Sequence, residues 1–330
     1  MLVRQLLAVL ALTLSALPLA AAAEGGMKVA LICSGSTSDG GWNQLAKEGI
    51  EAVKQEFGAS LSIEQKVTPD KAGDEMRAYA ADGYDLVIAH GYEFLNPAAE
   101  AAKAGVKTKY AVSGADAAKD GIVTVDFDLS QASYQVGILA ARLSASGKLG
   151  FIGGSRIPSV EACYRGFQAG ALSVRKDASV VFTITSWDQP EKSKAQAEAL
   201  LGDGVDAIYH DVDAASRGIF EAIKEHNAKQ PGAPAWVFGS CADQNGNPVC
   251  PEATPASAVI KLDATFLRIA KAVKAGTFAP GLVREDIAAG TCVIVLNPKL
   301  IGKPITPAMQ AEIEAAGTKL ASGELKVPEK

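Results

Sequence analysis

Apolar residues in this chain follow two alternating rhythms. Short apolar runs, Val29–Ile32, Leu61–Lys66, Leu86–Ala89, Lys109–Val112 and Ile122–Val125, are separated by Gln44–Phe57, Pro69–Asp82 and Asn96–Ala104, where apolar side chains recur every third or fourth residue. The runs read as strands and the periodic stretches as amphipathic helices. A long helical segment, Ser130–Ser146, follows, and then the rhythm restarts. Leu149–Ile152, Val180–Thr183, Ala207–Tyr209 and Trp236–Phe238 read as strands; Ser159–Val174, Pro190–Leu201 and Ala214–Asn227 read as the helices between them. Strands alternating with helices imply right-handed crossovers and parallel sheets, so the pattern predicts an α/β chain of two doubly wound units. In the last third, Ala256–Val273 reads as a helix, Cys292–Leu296 as a strand and Pro307–Ser322 as a final helix. A last third that supplies parts to both units gives one lobe over residues 24–128 with part of 256–290, and a second over 129–255 with part of 291–330.

The first residues fit neither rhythm. Arg4 precedes an apolar run, Leu6–Leu19, and then Ala20–Ala23, the three parts of a secretory signal with cleavage expected after Ala23. The run is too short to span a bilayer comfortably, and no Cys follows it to carry a lipid anchor. The expected mature protein is periplasmic, soluble and monomeric. A formal net charge of -5 without a basic cluster argues against nucleic acid as a partner. His90, His210 and His226 are too scattered to propose a metal site. There is no Gly-x-Ser-x-Gly elbow and no phosphate-binding loop, and Gly150–Gly154 lacks the spacing of a dinucleotide fingerprint. The chain therefore reads as a binding protein rather than an enzyme, with no cofactor expected.

In open parallel sheets, ligands bind at the carboxyl ends of the strands. The first such exit, Ser34–Gln44, holds Asp39, Trp42 and Asn43 among three glycines. Later exits carry His90, Tyr92 and Asn96, then Trp187, then Asp211 and Asp213, and then Asp243. Asp211 and Asp213 leave their strand on diverging sides and read as caps for the helix from Ala214. Two of the three tryptophans, Trp42 and Trp187, lie at strand exits, a placement better explained by stacking on a planar ligand than by packing; Trp236 reads as core. The five cysteines are 33, 163, 241, 250 and 292. Cys241 and Cys250 flank the turn sequence Asn-Gly-Asn-Pro and are expected to pair in an oxidising compartment, with Cys250–Cys292 as the competing bridge.

Several of these stretches together resemble the basic membrane protein family, substrate-binding proteins of ATP-driven importers whose best-described members bind purine nucleosides. The resemblance rests on Ser38–Gln44, Ala132–Ala141, Gly147–Gly154, Gly166–Gly170 and Ser186–Pro190. It implies a type I periplasmic-binding fold, two lobes joined by three crossings that close on the ligand, and a membrane permease as partner. It also implies that Trp42 and Trp187 sandwich a purine, with Asp39 and Asn43 as polar positions of the first loop. Asn96 falls where many relatives have Asp. Cys241 stands where they have a ribose-gripping Asp, and Ile260 where they have Lys, leaving Asp211, Asp213, Asp243 or Lys261 to replace those anchors. With both sugar anchors changed and both stacking positions kept, a purine base is expected over a nucleoside. The alternative function is a periplasmic sensing module that presents its ligand to a membrane receptor.

Overall fold

The computed structural model describes residues 26–105 and 107–328; the expected signal segment and its cleavage point lie outside them. Two six-stranded sheets organise the molecule. The first contains β1 (Lys28–Cys33), β2 (Ser60–Glu64), β3 (Leu86–His90), β4 (Lys109–Ser113), β5 (Ile122–Phe127) and β11 (Gly281–Glu285), in the order β11-β5-β4-β3-β1-β2. The second contains β6 (Lys148–Gly153), β7 (Ser179–Ile184), β8 (Ala207–Asp211), β9 (Trp236–Cys241), β10 (Ala256–Ile260) and β12 (Cys292–Leu296), in the order β12-β10-β9-β8-β6-β7. Every pairing is parallel except β10 with β12. The central strands β3 and β8 are buried at every position, as befits strands covered on both faces.

Helices fill the crossovers: α1 (Trp42–Phe57), α2 (Pro69–Ala81) and α3 (Leu95–Ala102) in the first lobe, α5 (Pro158–Val174), α6 (Pro190–Gly202) and α7 (Ser216–Lys229) in the second. Helix α4 (Ser130–Leu143) packs on α5, and α9 (Pro307–Ala321) packs on α4. Helix α8 (Leu262–Lys274) returns to the first lobe and packs on α1. The α4–α5 crossing is backbone against backbone. A Cβ on Gly137, Gly166 or Gly170 would lie 2.0, 2.1 or 1.9 Å from a carbonyl oxygen of the facing helix.

The chain passes between lobes at Asp128–Leu129, at Lys261 and at 286–291. Glu285, buried at the end of β11, braces these crossings. Its carboxylate accepts from Thr265 and Thr291 and pairs with Arg268, while its carbonyl accepts from the Asp128 amide at 2.8 Å.

Two expectations are corrected, and one strand is added. Ala256–Val273 is not one helix: Ala256–Ile260 is strand β10, buried throughout, and the helix begins only at Leu262. A strand covered on both faces shows no alternation, and periodicity cannot separate it from buried helix. Strand β11 was missed because it is short, follows Pro280 and is half exposed at the sheet edge. The expected Cys241–Cys250 disulfide is not formed, nor is Cys250–Cys292; all five thiols are free. The Cys241 sulfur lies 4.0 Å from Asp211 Oδ1, whereas the Cys250 thiol donates to the Phe220 carbonyl in the core under α6 and α7. Cys292 points to the Glu285 carbonyl.

Candidate functional site

The exit of β1 is built by carboxylates. Asp39 Oδ1 accepts the amides of Gly41 and Gln44, and Oδ2 accepts the amide and side-chain nitrogen of Asn43, all at 2.8–3.0 Å. Asn43 is buried, and its Oδ1 accepts the Gly35 amide. Asp39 and Asn43 thus close their own loop and start α1. The remaining first-turn amide, that of Trp42, donates to Asp213 Oδ1 at 3.0 Å, a carboxylate of the opposite lobe. Asp213 does not cap the helix ahead of it, contrary to expectation. That helix begins at Ser216, with no side-chain cap.

The Trp42 ring is held on two sides. One ring face stacks on His90, with centroids 3.8 Å apart and planes 25° from parallel, and Phe127 meets its edge. The Trp42 carbonyl lies 2.9 Å from His90 Nε2, and Ser113 Oγ is 2.6 Å from Nδ1. A carbonyl can only accept, so Nε2 carries the proton and Nδ1 accepts from Ser113. Burial pushes the His90 pKa down to about 3, which keeps the ring neutral. His90 is therefore a buried support for Trp42 and is not free to contact a ligand.

Trp187 is seated similarly in the second lobe. A Cβ on Gly154 would lie 2.3 Å from Cδ2 and Cε3 of its indole, so bare backbone packs on the ring. The Trp187 carbonyl accepts the Ala215 amide at 3.0 Å. Each indole is thus fixed on one side by its own lobe, and both remain partly exposed.

The other expected residues divide. Asp211 is buried, accepts from Ser240 Oγ at 3.2 Å and is pushed up to about 6 by burial. It faces the interior of its own lobe. Tyr92, Asn96, Asp243 and Lys261 are exposed; Asp243 Oδ1 accepts the Asn245 amide, and the Lys261 amide binds the Thr291 carbonyl at a crossing. Sequence reasoning missed Gln244. It is buried, its Oε1 accepts from His210 Nε2 at 2.8 Å, and its Nε2 reaches the Gly40 carbonyl of the other lobe at 3.4 Å. It also missed Gly41 as a contact: a Cβ there would lie 2.5 Å from Asp213 Oδ1 and 3.2 Å from Asp213 Cα. Both rest on pairings some 170–200 residues apart, which local pattern does not encode. Among the described residues no group of His, Cys, Asp and Glu is arranged to hold a metal ion.

The chain is similar to a basic membrane protein A2 of Borrelia garinii subsp. bavariensis, 28% identical over 313 residues that cover 92% of this chain and 89% of the relative. It is also similar to a purine-binding protein of Brucella abortus, 28% identical over 200 residues covering 59% and 57% of the two chains. In three dimensions it matches an ABC transporter solute-binding protein of Aeropyrum pernix K1 with a TM-score of 0.81 at 22% identity, over 92% and 94% of the chains; this establishes the shared fold. Residues 27–329 match the Bmp family model, described as ABC transporter substrate-binding protein PnrA-like, and the chain belongs to that family.

Proposed function

We propose that this substrate-binding protein is exported and captures a planar heteroaromatic ligand of the purine class between Trp42 and Trp187 for delivery to a membrane permease. The observation that carries the reading is the matched seating of the two indoles. Trp42 is backed by His90, and Trp187 is backed by the Gly154 backbone, each at a strand exit of a different lobe. Such pre-positioning lowers the ordering cost of binding, and each stacked pair contributes about 0.5–1.5 kcal/mol beyond buried area. The purine-binding relative supports the same class. Tyr92, Asn96, Asp243 and Lys261, all exposed, are proposed as rim residues around this pair.

Within the class, the reading favours a base over a nucleoside. Cys241 turns its thiol toward Asp211 and Ser240, and Ile260 is buried and apolar. Each ribose hydroxyl left unpaired in a closed cleft costs about 1–3 kcal/mol. Mass spectrometry of small molecules released from denatured protein, followed by calorimetric titration with adenine, guanine, adenosine and guanosine, tests the proposal. Tighter binding of nucleosides than of their bases would overturn the preference, and binding of none of the four would overturn the purine class.

A further inference from the structure

The first three amides of α1 have two sources of acceptors. Asn43 and Gln44 are served by Asp39 from their own loop, and Trp42 is served by Asp213 from across the cleft. The Trp42 peptide is thereby gripped at both ends: its N–H by the second lobe, and its carbonyl by His90 of the first. The fit is close. Asp213 Cα would be 3.2 Å from any Cβ on Gly41, so only glycine lets the second lobe come this near. Gln244 makes the neighbouring contact, to the Gly40 carbonyl. A helix N-terminus carries partial positive charge, and a carboxylate there is favoured.

We propose that Asp213 is the closure latch of this binding protein, a positioning residue that docks on the α1 N-terminus only when the lobes meet and so couples closure to the placement of the Trp42 ring. The latch goes beyond the proposed ligand class and holds whichever ligand is carried.

Docking has a protonic consequence. Opening the cleft returns the Asp213 carboxyl to water, near its ordinary value of 3.8, whereas in the closed form it is pushed up to about 7. Burial is the main cause. The Trp42 amide works against it, while the facing carboxylates Asp39 of the first lobe and Asp211 and Asp188 of the second add to it. The sign follows. The closed form binds a proton more tightly than the open form, so closure strengthens as pH falls from about 7 towards 4 and gains nothing further above about 7.

Small-angle scattering of the full-length mature protein, recorded from about pH 8 to about pH 5, reads the open–closed balance without reference to any ligand. Wild type is expected to become more compact as pH falls. Asp213→Ala should be more expanded throughout, with the closed-to-open ratio reduced about tenfold or more. Asp213→Asn keeps the acceptor oxygen but not the charge, and should stay compact with a flat pH profile. Circular dichroism confirms that each variant is folded. Titration with adenine and adenosine runs in parallel; failure of both to bind would count against the purine reading while the scattering still decides the latch. An Asp213→Ala profile that superimposes on wild type, or an Asp213→Asn profile with the wild-type pH dependence, would overturn the proposal.

Discussion

Gly154→Ala is a one-methyl test of the stacking site. The new Cβ would lie 2.3 Å from Cδ2 and Cε3 of Trp187 and 2.8 Å from Cε2. Carbon–carbon contacts settle at about 3.5–4.0 Å, so the indole has to retreat by more than about 1 Å. Because Trp187 is partly exposed it can swing outward, and the fold should lose no more than the usual overpacking cost of about 1–3 kcal/mol. The ligand loses more specifically. Displacing the ring removes a stacking term of about 1 kcal/mol, and uncovering roughly 50 Å² of apolar contact removes about 1 kcal/mol more. Together these weaken binding roughly thirtyfold. Calorimetric titration with the purine that binds wild type is the assay, with Trp187→Ala and the double variant completing a cycle. If Gly154 acts only through the indole, the double variant binds no worse than Trp187→Ala. Wild-type affinity in Gly154→Ala would refute the reasoning, and so would a double variant whose loss is the sum of the two single losses.

Gly170→Ala places a Cβ 1.9 Å from the Tyr134 carbonyl oxygen and 2.7 Å from its carbon, both backbone, so α4 and α5 must part and stability should fall by about 3 kcal/mol or more in thermal melts. Retention of the wild-type melting temperature would show that the crossing has room for a side chain at position 170. Burial raises the thiols of Cys33 and Cys250 to about 12 and those of Cys163 and Cys241 well above the ordinary range. A thiol reagent at neutral pH should therefore label native protein slowly and all five cysteines after unfolding without reductant. Fewer than five labelled positions would reveal a bridge.

The alternation of runs and helices revealed two α/β lobes because buried parallel strands leave short continuous apolar runs and their crossover helices leave a periodicity of three to four residues. It also singles out Trp42 and Trp187, the pair proposed above to stack on the ligand, because both follow recognisable strands and their neighbours are turn residues. It assigned the wrong partners to the polar groups. Asp39 looked like a ligand contact but spends both oxygens on its own loop, and His90 looked available but is walled in by Trp42 and Ser113. In the sequence Asp213 reads as a local cap because Asp is a favoured residue at the position ahead of a helix. Its actual target is the start of a helix 171 residues away. Which helix a carboxylate caps is decided by tertiary approach, here by the bare backbone of Gly41. Strand β10 was hidden for a related reason: it is covered on both faces, and one of its two partners, β12, lies beyond α8 and β11 in sequence.

Four titratable groups behind the cleft, three of them buried and Asp213 partly so, make folding and closure respond differently to pH. His90 and His210 are pushed by burial down to about 3 and about 4, so each is neutral in the folded chain and takes up a proton on unfolding below about 6.5. Alone, they would remove stability as pH falls through that range. Asp211 and Asp213 are pushed by burial up to about 6 and about 7, so in the same range they hold protons that the unfolded chain releases. Alone, they would add stability as pH falls. Between about pH 4 and 6 the unfolded chain binds two protons on the histidines and the folded chain binds two on the carboxyls. The difference that sets the pH slope of stability is near zero for this set. Closure has no such balance. His90 is enclosed by its own lobe, His210 is buried against Gln244 and Phe220 of its own, and Asp211 faces the interior of its own, whereas Asp213 is covered by the opposite lobe. Only Asp213 therefore changes its surroundings when the cleft opens. The melting temperature should stay nearly level from about pH 6 down to about pH 4 while the scattering-derived closed fraction rises. A melting temperature that tracks the closed fraction step for step would mean that the latch and the fold are one cooperative unit.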